Sequence, residues 1–132
     1  MDGISAAGGV VVVLYSRALA TPTFKPEHVM TKVTILYPNA PNAKFDMNYY
    51  VTRHMPMVRD RCAPECRSIA AESGLAGGDP GSQALYIAVG HLIFDSEAAF
   101  RKAFGAHATE ILADVPNYTN TKPIIQISEI TL

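Results

Sequence analysis

The sequence predicts an α+β fold of the ferredoxin-like type, βαββαβ, with a four-stranded antiparallel sheet carrying two helices on one face. Three observations predict it. Runs of strand character and runs of helical periodicity follow the order strand, helix, strand, strand, helix, strand. Turn-rich segments, YPNAPN, GLAGGDPGS and ADVPNYTNTKP, separate them. The run ALYIAVGHLIF is apolar at both parities, which suits a strand covered on both sides.

Residues 1–29 read as an N-terminal extension ahead of a domain at 30–132. VVVVLY followed by ALA imitates a secretion signal, but the leading residues carry Asp2 and no Lys or Arg, and the apolar run is short. An added strand through Val10 to Tyr15 is expected there. TKVTILY (31–37), β-branched and aromatic, is the first strand. Asp46 then caps a helix running to about Cys62. At 100° per residue, Met47, Tyr50, Val51, His54 and Val58 share its inward stripe, and Asn48, Thr52 and Arg59 fall opposite. Pro56 should kink this helix, because its nitrogen cannot donate to residue 52. CRSIAAES (66–73) is a short strand and ALYIAVGHLIF (84–94) a long one. Asp95 or Ser96 caps a second helix, 96–112, with the stripe Phe100, Ala103, Phe104, His107 and Ile111. IIQISEI (124–130) closes the sheet.

On the long strand, Leu85, Ile87, Val89 and Ile93 face one way and Tyr86, Ala88, Leu92 and Phe94 the other. Two helices cover only one face. A second copy of the sheet is expected on the other, making a homodimer.

At 132 residues, 48% hydrophobic and 17% charged, the chain can bury one core. A net charge of −1 without a basic run argues against nucleic-acid or membrane-surface partners. No stretch reaches the roughly 18 apolar residues of a membrane span. Cys62 and Cys66, in CAPEC, are neither CxxC nor enough ligands for tetrahedral zinc, and are expected as reduced thiols in a cytoplasmic protein. Neither a metal site nor a cofactor is expected. CxxCH is absent, which excludes covalent haem. GLAGGDPGS joins two strands instead of opening a helix, so it reads as a hairpin loop and not as a phosphate cradle.

His54 and His107 carry the chemistry of the sequence. Each lies in the inward stripe of its helix, and both helices share one sheet face. Each is either a satisfied core residue or part of a polar patch in an apolar pocket, with Tyr50 beside His54 and Asp114 two turns beyond His107. Burial would disfavour the charged imidazole and leave a neutral base. His91, on the long strand, faces either this pocket or the dimer core.

TILYPN, FDMNYYVTRHMPMV, the Gly-rich loop, GHLIFDSEAAF, HATEILADVPNYTN and PIIQISEI, in that order, resemble the EthD family, named for ethyl tert-butyl ether degradation. The resemblance covers residues 30–132. It implies a dimeric α/β barrel and an association with a cytochrome P450 system acting on ethers. Relatives with this barrel include cofactor-independent monooxygenases, isomerases and haem-degrading enzymes. His54 in HMP and the Asp114–Tyr118 segment are carried over as site positions. The expectation is a pocket for a small hydrophobic organic molecule, with His54 and Asp114 catalytic and Tyr50, Met57, His107 and Tyr118 touching substrate. The reaction would be of oxygenase, isomerase or lyase type. The alternative is a non-catalytic binding protein that assists the P450 system.

Overall fold

The structure, a computed structural model, describes residues 29–132. The strand expected at Val10 to Tyr15 lies outside them. The element order is β1 (Thr31–Pro38), α1 (47–61), β2 (Cys66–Ser73), β3 (Tyr86–Phe94), α2 (Glu97–Ala113), a short 3₁₀ turn (Val115–Asn117) and β4 (Ile124–Glu129). The strands form one antiparallel sheet in the order β2-β3-β1-β4. This is the ferredoxin-like βαββαβ arrangement expected from the sequence.

Capping follows the side-chain chemistry. Asp46 Oδ1 accepts from the Tyr49 amide at 3.0 Å at the start of α1, and Ser96 Oγ from the Ala99 amide at 3.0 Å at the start of α2. Of the two candidates for the second cap, it is Ser96 that serves.

Helix α1 departs from regular geometry. Met47–Tyr49 is α-helical, Tyr50–His54 is a π-helical turn, and Met55–Arg61 is α-helical again. The Met55 amide bonds to the Tyr50 carbonyl, five residues back. Pro56, at the start of the second α segment, has no N–H to offer residue 52, and the wide turn just before it absorbs that missing bond. One consequence corrects the stripe. The π turn advances the phase, so Tyr50, His54, Met55, Val58 and Cys62 are buried, whereas Val51 is 44% exposed. A uniform 100° step cannot anticipate this.

The pairing register fixes the two sheet faces. Across the strands, Val33 lies opposite Leu92 and Ile127, and Ile35 opposite Gly90 and Ile125. This parity meets both helices and forms the core with Tyr37, Tyr50, Val58, Phe94, Phe100 and Ile111. The opposite parity carries Leu36, Val89 and Ile124 in one row and Thr34, His91 and Gln126 in the next. His91 therefore points away from the helices. It pairs with Glu72 through Nε2 at 3.0 Å. Cys62 and Cys66 are free and buried, and burial pushes the Cys62 thiol up to about 11, a range in which it stays protonated and inert.

Gly90 marks the tightest approach in the fold. A Cβ placed there would collide with the Tyr50 hydroxyl, with the ring carbon behind it 3.3 Å away. The missing side chain lets the phenol of α1 lie against the middle of the sheet. Gly90→Ala is expected to cost about 1–3 kcal/mol by overpacking. Tyr50→Phe on that background removes the colliding atom and should recover most of the loss. A double-mutant cycle by chemical denaturation measures the coupling, and additive losses would contradict it.

Candidate functional site

The region between the helices and the sheet holds an aromatic and polar cluster supplied by three elements. Tyr37 comes from the end of β1, Tyr50 and His54 from the π turn, and Asp114 and Tyr118 from either end of the 3₁₀ turn after α2. Phe45, just ahead of α1, packs edge-on to Tyr37 and Tyr50, each with ring centroids 4.9 Å apart. The His54 ring stacks on Tyr50 at 5.6 Å and tilts toward Tyr118 at 4.5 Å. The Phe45–Thr119 bridge and the hydrogen bond from the Asp46 amide to the Tyr118 carbonyl, 2.8 Å, clasp the 3₁₀ segment to the start of α1.

A chain of hydrogen bonds crosses this cluster. His54 Nδ1 lies 2.9 Å from Asp114 Oδ2, Tyr118 Oη is 3.3 Å from His54 Nε2, and Tyr37 Oη is 2.7 Å from Tyr118 Oη. Two further groups hold the carboxylate. Tyr49 donates to Oδ1 at 2.7 Å and Asn117 Nδ2 donates to the same oxygen at 2.9 Å.

The electrostatics assign the protons. Burial pushes the His54 pKa down, and the hydrogen bond and charge of Asp114 offset this only in part. Burial alone would raise Asp114, but hydrogen bonds from Asn117, His54 and Tyr49 outweigh it and hold the carboxyl below its usual range. The pair is therefore a neutral imidazole on an ionised carboxylate at neutral pH. With Nδ1–H donated to Asp114, Nε2 keeps its lone pair and accepts from Tyr118. Burial likewise raises Tyr37, Tyr50 and Tyr118, so all three phenols stay protonated.

Beside this chain lies an apolar cavity of about 40 Å³, with Val33, Ile35, Leu92, Phe100 and Ile111 in its wall and Tyr37, Tyr50, His54 and Tyr118 at its aromatic end. A water needs roughly 10–15 Å³, so the space takes a few water-sized groups or one very small organic molecule. Its lining includes Leu112 and Ile125, 50% and 45% exposed, so it opens between α2 and the β4 edge. A larger ligand enters by widening that gap.

Of the residues expected from the sequence, Tyr50, His54 and Tyr118 line this cavity, and Asp114 backs His54 from behind. Met57 is instead on an outer cleft with Tyr49, Arg53, Glu110, Asp114 and Asn117. His107 is half-buried on α2 and lines neither space. His54 thus meets both sequence alternatives at once, being hydrogen-bonded on both nitrogens and part of a cavity wall. Tyr37, Tyr49, Asn117 and Gly90 were not singled out by the sequence. The inward parity of Tyr37 on TKVTILY was the available signal, whereas Tyr49 and Asn117 depend on contacts between distant segments. Among the described residues, no group of three His, Cys, Asp or Glu side chains is placed to hold a metal ion, and no helix is long and apolar enough to cross a membrane.

Comparison with known proteins agrees with this architecture. The EthD domain profile matches residues 38–122. The chain is 41% identical to an EthD-like protein of Ralstonia eutropha JMP134 of known crystal structure, over 80% of this chain and 95% of that one, with a TM-score of 0.77. An ethyl tert-butyl ether d (EthD) family protein from Bacillus halodurans C-125 shares the fold at 16% identity and a TM-score of 0.54, covering 77% of this chain and 99% of its own. So does a protein of Shewanella loihica PV-4 with a proposed monooxygenase assignment, at 17% identity and 0.51, covering 79% and 96%. No curated protein matches the chain.

The His54–Asp114 pair has a pH signature. Both groups have folded pKa values below their ordinary ones, so each contributes stability that is present above its unfolded pKa and lost as pH falls. The imidazole acts first, below its ordinary value of 6.5, and the carboxyl only in the acid range near and below 3.8. Thermal stability of the wild type should fall between pH 7 and 5. His54→Asn, which keeps a donor toward Asp114 but cannot be protonated, should flatten that interval. Parallel curves for the two proteins from pH 8 to 5 would show that His54 titrates normally.

Proposed function

The chain belongs to the EthD family, and on that premise we propose that it binds a small organic molecule in its apolar cavity and transforms it without a cofactor, by proton transfer through His54. The observation that carries this reading is the line Asp114, His54, Tyr118 and Tyr37 at the cavity's aromatic end. Asp114 holds the tautomer, His54 Nε2 is the base, and the long 3.3 Å contact lets Tyr118 yield its place or relay the proton. Asp114 also faces the outer cleft, so a proton taken up inside has a path to solvent. An oxygenase, isomerase or lyase step on a degradable organic compound begins with such a transfer, and these are the reaction types proposed.

A second reading is a non-catalytic binding protein that assists a cytochrome P450 system. The internal pairing of Tyr37, Tyr118 and His54 favours it, since these groups need no ligand to be satisfied.

The outer sheet face suits a second copy of the chain. Leu36, Val89 and Ile93 are half-buried there and Ile124 is 51% exposed, an apolar field uncovered by either helix. Homodimerisation through it follows, and Val89→Asp should convert a dimer seen by light scattering to monomer. An unchanged mass would remove this face as the interface.

Catalysis is tested by incubating the purified protein in D₂O and air with small ketones, phenols, alkyl ethers and alkenes, and following exchange and consumption by mass spectrometry. His54→Asn should lower the rate on any responding compound by about 10²–10⁴-fold. Compounds that bind but are never altered by the wild type would favour the accessory reading.

A further inference from the structure

Tyr49 is the residue of α1 that reaches the site from outside. It is half-buried, lines the outer cleft beside Arg53, and stacks on Tyr118 with ring centroids 6.2 Å apart and 21° between the planes. Its hydroxyl donates to Asp114 Oδ1 at 2.7 Å, while His54, further along the same helix, bonds the other oxygen, Oδ2, at 2.9 Å. One carboxylate is thus shared between two side chains of α1. The bond to it raises the Tyr49 phenol above its ordinary range, so at neutral pH this hydroxyl is a donor only. Asn117 adds a donor to Oδ1 at 2.9 Å, but it lies three residues from Asp114 and holds the carboxylate from within its own turn.

How strongly a carboxylate pulls on an imidazole depends on how its charge is spent elsewhere. Each donor on Oδ1 stabilises the anion, lowers its proton affinity and weakens its hold on an imidazolium at Oδ2. The other ionisable groups around the ring leave this balance to Asp114. Tyr118 from the turn, Tyr37 from β1 and Tyr50 from α1 stay protonated. On α2, Glu110, beside His107, is paired with Arg61 at 2.9 Å. Arg53 lies over the Tyr49 ring, 5.9 Å from guanidinium carbon to centroid, where its charge favours the phenol as a donor. Resting on the base role proposed for His54, we propose that Tyr49 is its positioning residue on the cleft side: by donating to Oδ1 it keeps Asp114 from pairing fully with a charged ring, and so holds His54 as a neutral imidazole protonated at Nδ1. Loss of the hydroxyl alone keeps the stacked ring in place and makes Asp114 a stronger partner for the imidazolium. The protonation of His54, and not the packing, then registers the change.

The imidazole can be read directly, on the full-length protein and without a substrate. The ring nitrogens of His54 are titrated by NMR from pH 8 to 4.5 in the wild type, in Tyr49→Phe and in Asn117→Ala, with His91 on the outer sheet face as internal reference. In Tyr49→Phe, His54 should bind its proton about three- to tenfold more tightly. His91 should titrate as before, and Nδ1 should remain the protonated nitrogen of the neutral ring. Stability should also fall less steeply between pH 7 and 5 than in the wild type, because the folded His54 pKa moves back toward its ordinary 6.5. Asn117→Ala, which removes the other donor and leaves α1 untouched, should shift His54 in the same direction. An unmoved or weakened proton affinity in Tyr49→Phe would overturn the proposal, as would a lower melting temperature with the titration unchanged, the mark of a merely structural contact. A shift of the opposite sign in Asn117→Ala would overturn it equally. Tighter proton binding in a protein that transforms no compound would leave the coupling standing and remove the base role of His54. Turnover with an unmoved titration would remove the coupling alone.

Discussion

The hydrogen bond between His54 Nδ1 and Asp114 Oδ2 joins the middle of α1 to the end of α2, and the site's geometry hangs on it. The π turn brings His54 and Met55 inward as neighbours, and His54 reaches Asp114 from the buried face of α1. That turn in turn precedes a proline unable to complete the regular ladder. On the other side, Asp114 is the C-cap of α2 and opens the 3₁₀ segment, so its direction is set by where that helix stops. Tyr49 and Asn117 then fix the second carboxylate oxygen from the outside. A local irregularity and a helix end thus bring an imidazole and a carboxylate together from elements 60 residues apart.

How much of this was legible in the sequence depends on the range of the cause. Element order and the cap residues are local properties, and TKVTILY, CRSIAAES and the Ser96 cap lie where their own chemistry puts them. The inward direction of Tyr50 and His54 was also legible, because both positions fall near the stripe with or without the π turn. Val51 was not, since one widened turn rotates its neighbours unequally. His107 is only half-buried, and Phe100, Phe104, Ile111 and Leu112 line the cavity on both sides of it along α2, so it sits on the flank of the stripe and not at its centre. A periodicity argument names a face and not how squarely each residue on it meets the cavity. The partner of His54 could be carried over from a family resemblance, yet Tyr37, Tyr49 and Asn117 join it only through tertiary contacts that no spacing reveals.

The fold itself is shared with proteins below 20% identity, so it constrains chemistry weakly. The chemistry of this chain rests on the content of the space between helices and sheet. Three phenols and an imidazole are packed where aliphatic side chains would serve stability as well, since buried polar groups of matched shape are close to neutral when replaced together by apolar ones. The phenols remain protonated through burial and the imidazole remains neutral for the same reason. The charge of the cluster is therefore confined to Asp114, on its solvent side, and the groups toward the interior are neutral.

A fully hydrogen-bonded histidine is commonly read as structural, but here the two sides of the ring are held unequally. A structural imidazole gains most from two strong, short bonds, yet the Nε2 side has a 3.3 Å contact to a phenol that already accepts a 2.7 Å bond from Tyr37. The strong bond is on the Nδ1 side, to a carboxylate held by two further donors. Such asymmetry fixes the ring and its tautomer while leaving the Nε2 lone pair more lightly held, which is what the base role proposed for His54 calls for. The firmness of Asp114 and the looseness of Tyr118 are two halves of one device, and both are set by where α2 ends.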